Sequence, residues 1–372
     1  MNIDRLFIDP AVREMEETET IRRNLKLSGE IVKQESDIFE ELAGFADPVL
    51  QGKKTLYITR NPGALIKDCP GTSHYTCCDY TILHAGTFCT MDCSYCILQA
   101  YFNPPLLRYF VEQERIRQEL EIIAGQDKIY RIGTGEFTDS LIWEPISDLP
   151  VFLVRQFAKQ DRAVLELKTK TVNIESLRNA DHNRKTIVSW SLNTPDVIRS
   201  EERGTASLSA RLKAARKCVS WGYKVSFHFD PVVIEPGCEK AYTEVIDRIF
   251  EYVRPEDIVW ISIGSFRFMP TLKPMIEKRF PESKICYGEF IRGLDNKMRY
   301  FKPLRIRVYK AMTDRIRSHS RDVLVYFCME DEKVWNETLG FFPEKEGELG
   351  SLLDKSAAEH CGLKTRNWKL ET

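Results

Sequence analysis

Several familiar signatures are missing from this chain. There is no GxGxxG fingerprint, no Walker-type phosphate loop and no Ser-His-Asp arrangement, so dinucleotide binding, P-loop hydrolysis and triad-type acyl transfer have no support. An excess of charge is also lacking: 54 Lys and Arg stand against 55 Asp and Glu, a formal balance of -1. No global basic field advertises nucleic acid, and any such contact must be a local patch. No apolar run approaches the roughly 20 residues that a membrane helix needs, so no membrane partner is expected. The opening stretch, MNIDRLFIDPAVREMEETET, has neither a secretory apolar segment nor the Arg-rich, acid-poor character of a transit peptide. A reducing, cytoplasmic setting is the expectation.

What is plentiful is cysteine. The chain has 11 in 372 residues, not spaced as a secreted disulfide framework, and a chain of this length buries a core without one. Three of them form Cys89-Thr-Met-Asp-Cys93-Ser-Tyr-Cys96, a C-x3-C-x2-C loop directly after a predicted strand at Tyr80–His84. Three thiolates can ligate three irons of a 4Fe–4S cube and leave the fourth iron open. An open iron suits a cluster that binds and cleaves a small molecule. Structural zinc would want a fourth Cys or His at paired spacing, and none follows closely. Just upstream, Lys67–Asp79 carries Cys69, Cys77, Cys78 and His74. It admits three readings: extra metal ligands, a thiol hydrogen-atom donor, or small thiols packed as hydrophobes around a Pro-Gly turn.

Periodicity divides the rest. Residues 1–78 read as an N-terminal extension with helical patterning at Ala11–Leu27 and Gly29–Leu42 and a strand at Leu56–Thr59. Residues 79–270 alternate strands and helices. The strands are Tyr80–His84, Lys128–Ile132, Val164–Lys168, Thr186–Ser191, Lys224–Phe229 and Asp257–Ile263. Helices fit Leu107–Ala124, Pro150–Lys159, Ile174–Asn179, Ser207–Trp221 and Ala241–Val253. Such repeated units predict an α/β fold with a parallel sheet, open or curled, and a site at the carboxyl ends of its strands. The cysteine loop falls at that end. So do Gly135 and Glu136 after the second strand, Lys168 and Lys170 at the third, Ser191 and Asn193 at the fourth, and His228 and Asp230 at the fifth. A lone His on a strand is more often a satisfied core residue, and His228 is read so.

Residues 271–372 change character, with a helix at Lys273–Phe280, a strand near Ile285–Tyr287, an amphipathic helix at Leu304–His319 and a buried strand at Val323–Phe327. Between them runs a basic, aromatic stretch including Arg299, Tyr300, Lys302 and Arg305. Positive charge interleaved with rings is what a nucleic-acid groove uses, although a solvated helix face gives the same pattern.

At this point two resemblances can be stated. A C-x3-C loop with an aromatic, Tyr95, before the last cysteine resembles the signature of radical S-adenosylmethionine (SAM) enzymes. The loop CTMDCSYCILQAYF, the segment SLNTPDVIRSEERGTASLSARLKAARKCVSWGYKVSFHFDPVVIEPG and the stretch KRFPESKICYGEFIRGLDNKMRYFK resemble the spore photoproduct lyase family, radical SAM enzymes of DNA repair. The resemblance implies a partial (β/α)6 barrel with an N-terminal helical extension and a small C-terminal α/β region. It also implies a 4Fe–4S cluster on Cys89, Cys93 and Cys96, SAM contacts at Thr138, Lys170 and Ser191, a flavodoxin- or ferredoxin-type electron donor, and a thymine photoproduct in DNA as substrate. Two positions depart from it. Glu136 stands where the family has a cysteine that gives a hydrogen atom, and Ile97 where it has a tyrosine that relays one. Cys69, Cys77 and Cys78 are the candidate replacements; a different substrate, or an iron–sulfur protein without turnover, are the alternatives.

Overall fold

The computed structural model describes residues 2–69, 71, 74–345 and 347–364. Pro70 of the Pro-Gly turn and the last residues of the charged tail lie outside the described residues.

Seven strands follow one another across the main sheet in chain order: β1 (Thr81–Leu83), β2 (Tyr130–Gly133), β3 (Ala163–Thr169), β4 (Thr186–Ser191), β5 (Lys224–Val232), β6 (Ile258–Ser265) and β7 (Leu324–Phe327). All seven run parallel, and Ile66–Asp68 adds an antiparallel edge beside β1. The sheet curls into a partial barrel. Helices cover its outer face, so both faces of a central strand are dry; β6 is buried at every position. The six expected strands are all present. β7, from the C-terminal region, extends the same sheet beyond them.

The helices form where amphipathic spacing meets a cap. Ser207 accepts the Ala210 N–H at 3.3 Å to start Leu208–Ser220, whose buried face is Leu208, Leu212, Ala215 and Cys218, as the spacing predicts. Arg211 lies on that buried face too, which spacing alone does not explain. Thr194 caps Pro195–Glu201 in the same way, with Pro195 at the first turn.

Three expectations are corrected. The N-terminal region has the strand expected at Leu56–Thr59, but also strands that were not expected. Its Arg5–Ile8, Glu30–Ile31 and Thr55–Thr59 join Leu107–Phe110 and Gly86–Thr87 in a second sheet, which takes strands from both sides of residue 78. Second, Leu107–Ala124 is a strand followed by the helix Gln113–Ala124, because a four-residue apolar run carries no decisive period and the neighbouring Thr55–Thr59 pairs with it. Third, Ile285–Tyr287 is not a strand; the Tyr287 N–H closes a turn onto Lys284 O at 3.0 Å. Among the described residues, no helix is long and apolar enough to cross a membrane.

One carboxylate in the N-terminal unit is poorly placed. Glu17, on the helix Glu16–Leu25, has a buried Oε2 without a partner among the described residues, and burial pushes its pKa up to about 7, with Asp148 and Glu112 adding to the effect. A folded-state value above the unfolded one means the penalty is absent below pH ~4.5 and complete above ~7. Glu17→Gln is therefore expected to stabilise the protein by about 1–3 kcal/mol at pH 8 and by almost nothing at pH 4. Urea unfolding at the two pH values measures it.

Candidate active site

The cysteine loop is held from three directions. Its Asp92–Cys93 pairs antiparallel with Glu202–Arg203. From the N-terminal unit, the buried Lys53 ammonium donates to the carbonyls of Met91 (2.7 Å) and Cys89 (3.2 Å) and lies over the Phe88 ring. From beyond β6, Arg279 donates to Asp92 at 2.9 Å and to Gln99 Oε1 at 2.7 Å. Ser94 donates to Glu201, which also accepts from Ser283 at 2.7 Å. A loop tied at so many points keeps its thiols in one place before any ligand arrives.

Cys89 and Cys93 are buried and Cys96 is part-buried, and the three lie within electrostatic reach of one another. As free thiols Cys89 and Cys93 resist ionisation. Burial, with the nearby Asp139, pushes Cys89 up to about 12 against the opposing Lys53. Burial raises Cys93 as well, and Lys170 opposes it. A bound metal centre reverses this preference, because a coordinating thiol is deprotonated outright. Among the described residues no three His, Cys, Asp or Glu side chains gather closely enough for a single metal ion. A set of three thiolates suits a cube with one open iron, whereas structural zinc takes four protein ligands.

Beside the loop, Tyr95 donates its hydroxyl to Glu202, and Glu202 pairs with Arg211, which also donates to Ser191 O at 2.8 Å. The Lys170 ammonium lies 5.9 Å from the Tyr95 ring centroid, while its backbone N–H donates to Asp139 at 2.7 Å. Thr138 is buried, with no partner for its hydroxyl among the described residues. An unpaired buried hydroxyl is costly, and a bound ligand that supplies an acceptor or donor removes that cost. Ser191 closes β4 close by, opposite His228 in the sheet register. Gly135 has a packing reason: a Cβ there would come within 2.9 Å of Lys168 Cβ. Glu136 is exposed and acts electrostatically on Lys168, Cys69 and the part-buried Cys328.

Some sequence candidates have other employment. Asn193 is fully buried: its amide donates to Pro231 O at 2.9 Å and its oxygen accepts from Tyr242 at 2.6 Å and from the Thr194 N–H at 3.1 Å, so it serves the fold rather than the open mouth. His228 is the satisfied core residue expected, 2.7 Å from Glu166. Burial works to raise Glu166, but His228, Lys168 and Ser189 together hold it down at about 2. The basic stretch is corrected likewise. Arg299 is buried against Asp295 (2.6 Å), and Tyr300 is buried on Phe290. Arg305 is buried on Glu330 at 3.0 Å, and Lys302 pairs with Asp331 at 2.9 Å. These groups shape the hairpin Phe290–Arg292/Met298–Tyr300; it is Ile291, Arg292 and Leu294, the last 70% exposed, that it offers to solvent. Lys53, Arg279, Glu202, Arg211 and Cys328 were not legible as site residues, since each reaches the mouth from a remote part of the chain.

A partial α/β barrel with a three-cysteine loop at the carboxyl ends of its strands defines the radical SAM enzymes. Within that class, residues 70–321 match the family described as spore photoproduct lyase, and the chain belongs to that family. It is 28% identical over 254 residues to the spore photoproduct lyase of Bacillus subtilis (strain 168), which spans 65% of this chain and 70% of that protein. It is 25% identical over 260 residues to that of Clostridium acetobutylicum, 69% and 73%. A solved spore photoproduct lyase complexed with dinucleoside spore photoproduct superposes with a TM-score of 0.75 at 21% identity, over 87% of this chain and 98% of that one. A double mutant with bound AdoMet and the same dinucleoside gives 0.76 at 21% identity, over 88% and 100%. At these identities the solved structures speak to the fold.

Proposed function

We propose that the chain binds a 4Fe–4S cluster through Cys89, Cys93 and Cys96, cleaves SAM reductively, and acts on a thymine photoproduct in DNA. The loop carries this reading: three thiols within electrostatic reach of one another, braced from both flanking units, beside a Thr138 hydroxyl that has no partner among the described residues. When bound, the cluster supplies the electron that splits SAM into methionine and a 5′-deoxyadenosyl radical. The chain's own part is to position and to exclude water. Thr138, Ser191 and Lys170 are the SAM-side contacts, with Gly135 allowing close packing of the β2 turn. Tyr95, oriented by Glu202, stands beside the cysteine loop and Lys170. A photodimer must leave the base stack to be reached, and the exposed Ile291, Arg292 and Leu294 of the hairpin suit that purpose. A low-potential protein of the flavodoxin or ferredoxin type is the electron donor.

A second reading has its own support. Glu136 and Ile97 stand where the family resemblance puts a hydrogen-donating cysteine and a relaying tyrosine, which favours a different nucleic-acid or small-molecule substrate. One experiment separates the two. Anaerobically reconstituted, dithionite-reduced protein is given SAM and ultraviolet-irradiated spore-type DNA, and 5′-deoxyadenosine and repaired thymine are followed together. Both products are expected. Deoxyadenosine without repair would move the substrate elsewhere, and neither product would remove the assignment.

A further inference from the structure

A second group of cysteines meets at the barrel mouth, away from the cluster loop. Cys328 directly follows β7, its N–H donating to Ile263 O of β6 at 3.4 Å. The segment before β1 folds across this edge: the Thr76 N–H donates to Glu330 O at 3.5 Å, the Cys69 N–H to Tyr80 O at 2.8 Å, and Arg299 stacks on Tyr75 at 4.1 Å. The Cys78 thiol consequently hydrogen-bonds with both Cys328 and Cys77. Cys77 is exposed while Cys78 and Cys328 are part-buried, so three sulfurs lead from solvent to the mouth. Around Cys328 stand Glu136 after β2, Lys168 of β3, Asp230 of β5 and Arg267 after β6. Charged groups from four other strand ends therefore act electrostatically on this one sulfur.

A carbon radical left on a product must be capped by a hydrogen atom. Glu136 has no weak X–H bond to give, and a thiol does. We propose that the Cys78–Cys328 thiol pair is the hydrogen-atom source for the product radical, with Cys328 the sulfur at the mouth. The proposal rests on the radical reading above. In the step, an S–H bond of the pair breaks and a C–H bond forms on the product, leaving the odd electron on sulfur. One electron from the same low-potential donor that feeds the cluster, and one proton from water through exposed Cys77, restore the thiol. The hydrogen bond with Cys328, the one with Cys77 and burial raise the Cys78 thiol above the usual range, while the same bond to Cys78 lowers Cys328, so the shared hydrogen of the pair resides on Cys78 and is handed on through Cys328.

Two measurements test this. Mild diamide oxidation of the native chain, followed by peptide mass spectrometry, is expected to yield a Cys78–Cys328 disulfide; a Cys328 thiol that never links to Cys78 would overturn the pairing. Turnover in D2O is then compared between the wild-type chain and Cys328→Ser. Solvent-derived deuterium in the product is expected to fall about tenfold or more in the variant. An unchanged labelled yield would sink the proposal. If the wild-type protein makes no 5′-deoxyadenosine, the radical reading itself has failed, whereas deoxyadenosine with undiminished label in the variant rejects the thiol pair alone.

Discussion

Replacing Cys93 by alanine is expected to abolish cluster incorporation and lower 5′-deoxyadenosine formation by about a thousandfold or more, equivalent to roughly 4 kcal/mol at the transition state. The argument is one of ligand number. Three thiolates hold three irons of a cube and leave one open, and removing one leaves only two thiolate ligands on the loop. Cys93 is also the thiol whose backbone is locked by pairing with Glu202, so a neighbouring side chain cannot slide in to replace it. Iron and sulfide content, the visible absorption of the reconstituted protein and deoxyadenosine yield read the result. Cys218→Ala, on the outer helix Leu208–Ser220, serves as the comparison and should retain its cluster. Loss of iron in that variant as well would mean that incorporation reports general stability rather than ligation.

The second large effect concerns the buried pair behind Tyr95. Arg211 and Glu202 are both essentially inaccessible, and Arg211 further donates to Ala206 O and Ser191 O. Removing one charge strands the other in a dry interior, so Arg211→Met is expected to cost about 3–5 kcal/mol in urea unfolding at neutral pH. The double variant Arg211→Met, Glu202→Gln should recover part of that loss, because no ion is then left unpaired. Direction with pH follows from the carboxylate. In the native chain burial works to raise Glu202, but Arg211 and Lys170, with the hydrogen bond from Tyr95, hold it low. Its contribution is therefore present above the ordinary carboxylate range and lost as pH falls through the depressed value. Without Arg211, burial dominates and Glu202 moves up, so the deficit of the variant should narrow as the solution is acidified. A deficit independent of pH would show that lost packing, not lost charge, sets the cost.

Much of the catalytic end was readable because it is encoded locally. The spacing of Cys89, Cys93 and Cys96 names a loop chemistry without reference to anything distant. Alternation of strands and helices places Thr138, Lys170 and Ser191 at carboxyl ends, since a parallel βα repeat leaves only one end for such residues. Burial then separated residues that looked alike in the sequence. Ser191 and Asn193 stand two apart after the same strand, yet Asn193 is consumed by Pro231 and Tyr242. Arg299 and Arg305 read as phosphate contacts until Asp295 and Glu330 are placed against them. A charge pattern states what a side chain can offer, and only its partners state whether the offer is still open.

By itself, then, the sequence determined the chemistry-bearing loop, the succession of strands and helices along the chain and the parallel α/β class. These depend on short-range spacing and on hydrophobic period, both of which survive in a linear text. Tertiary structure decided the rest. It brought Lys53 and Arg279 from either side of the barrel onto one loop and seated the Glu202–Arg211 pair behind Tyr95. It also brought Cys328 to Cys78 from the far end of the chain. Each of these contacts joins residues distant in sequence, and their selection depends on which strand ends the closing sheet brings together.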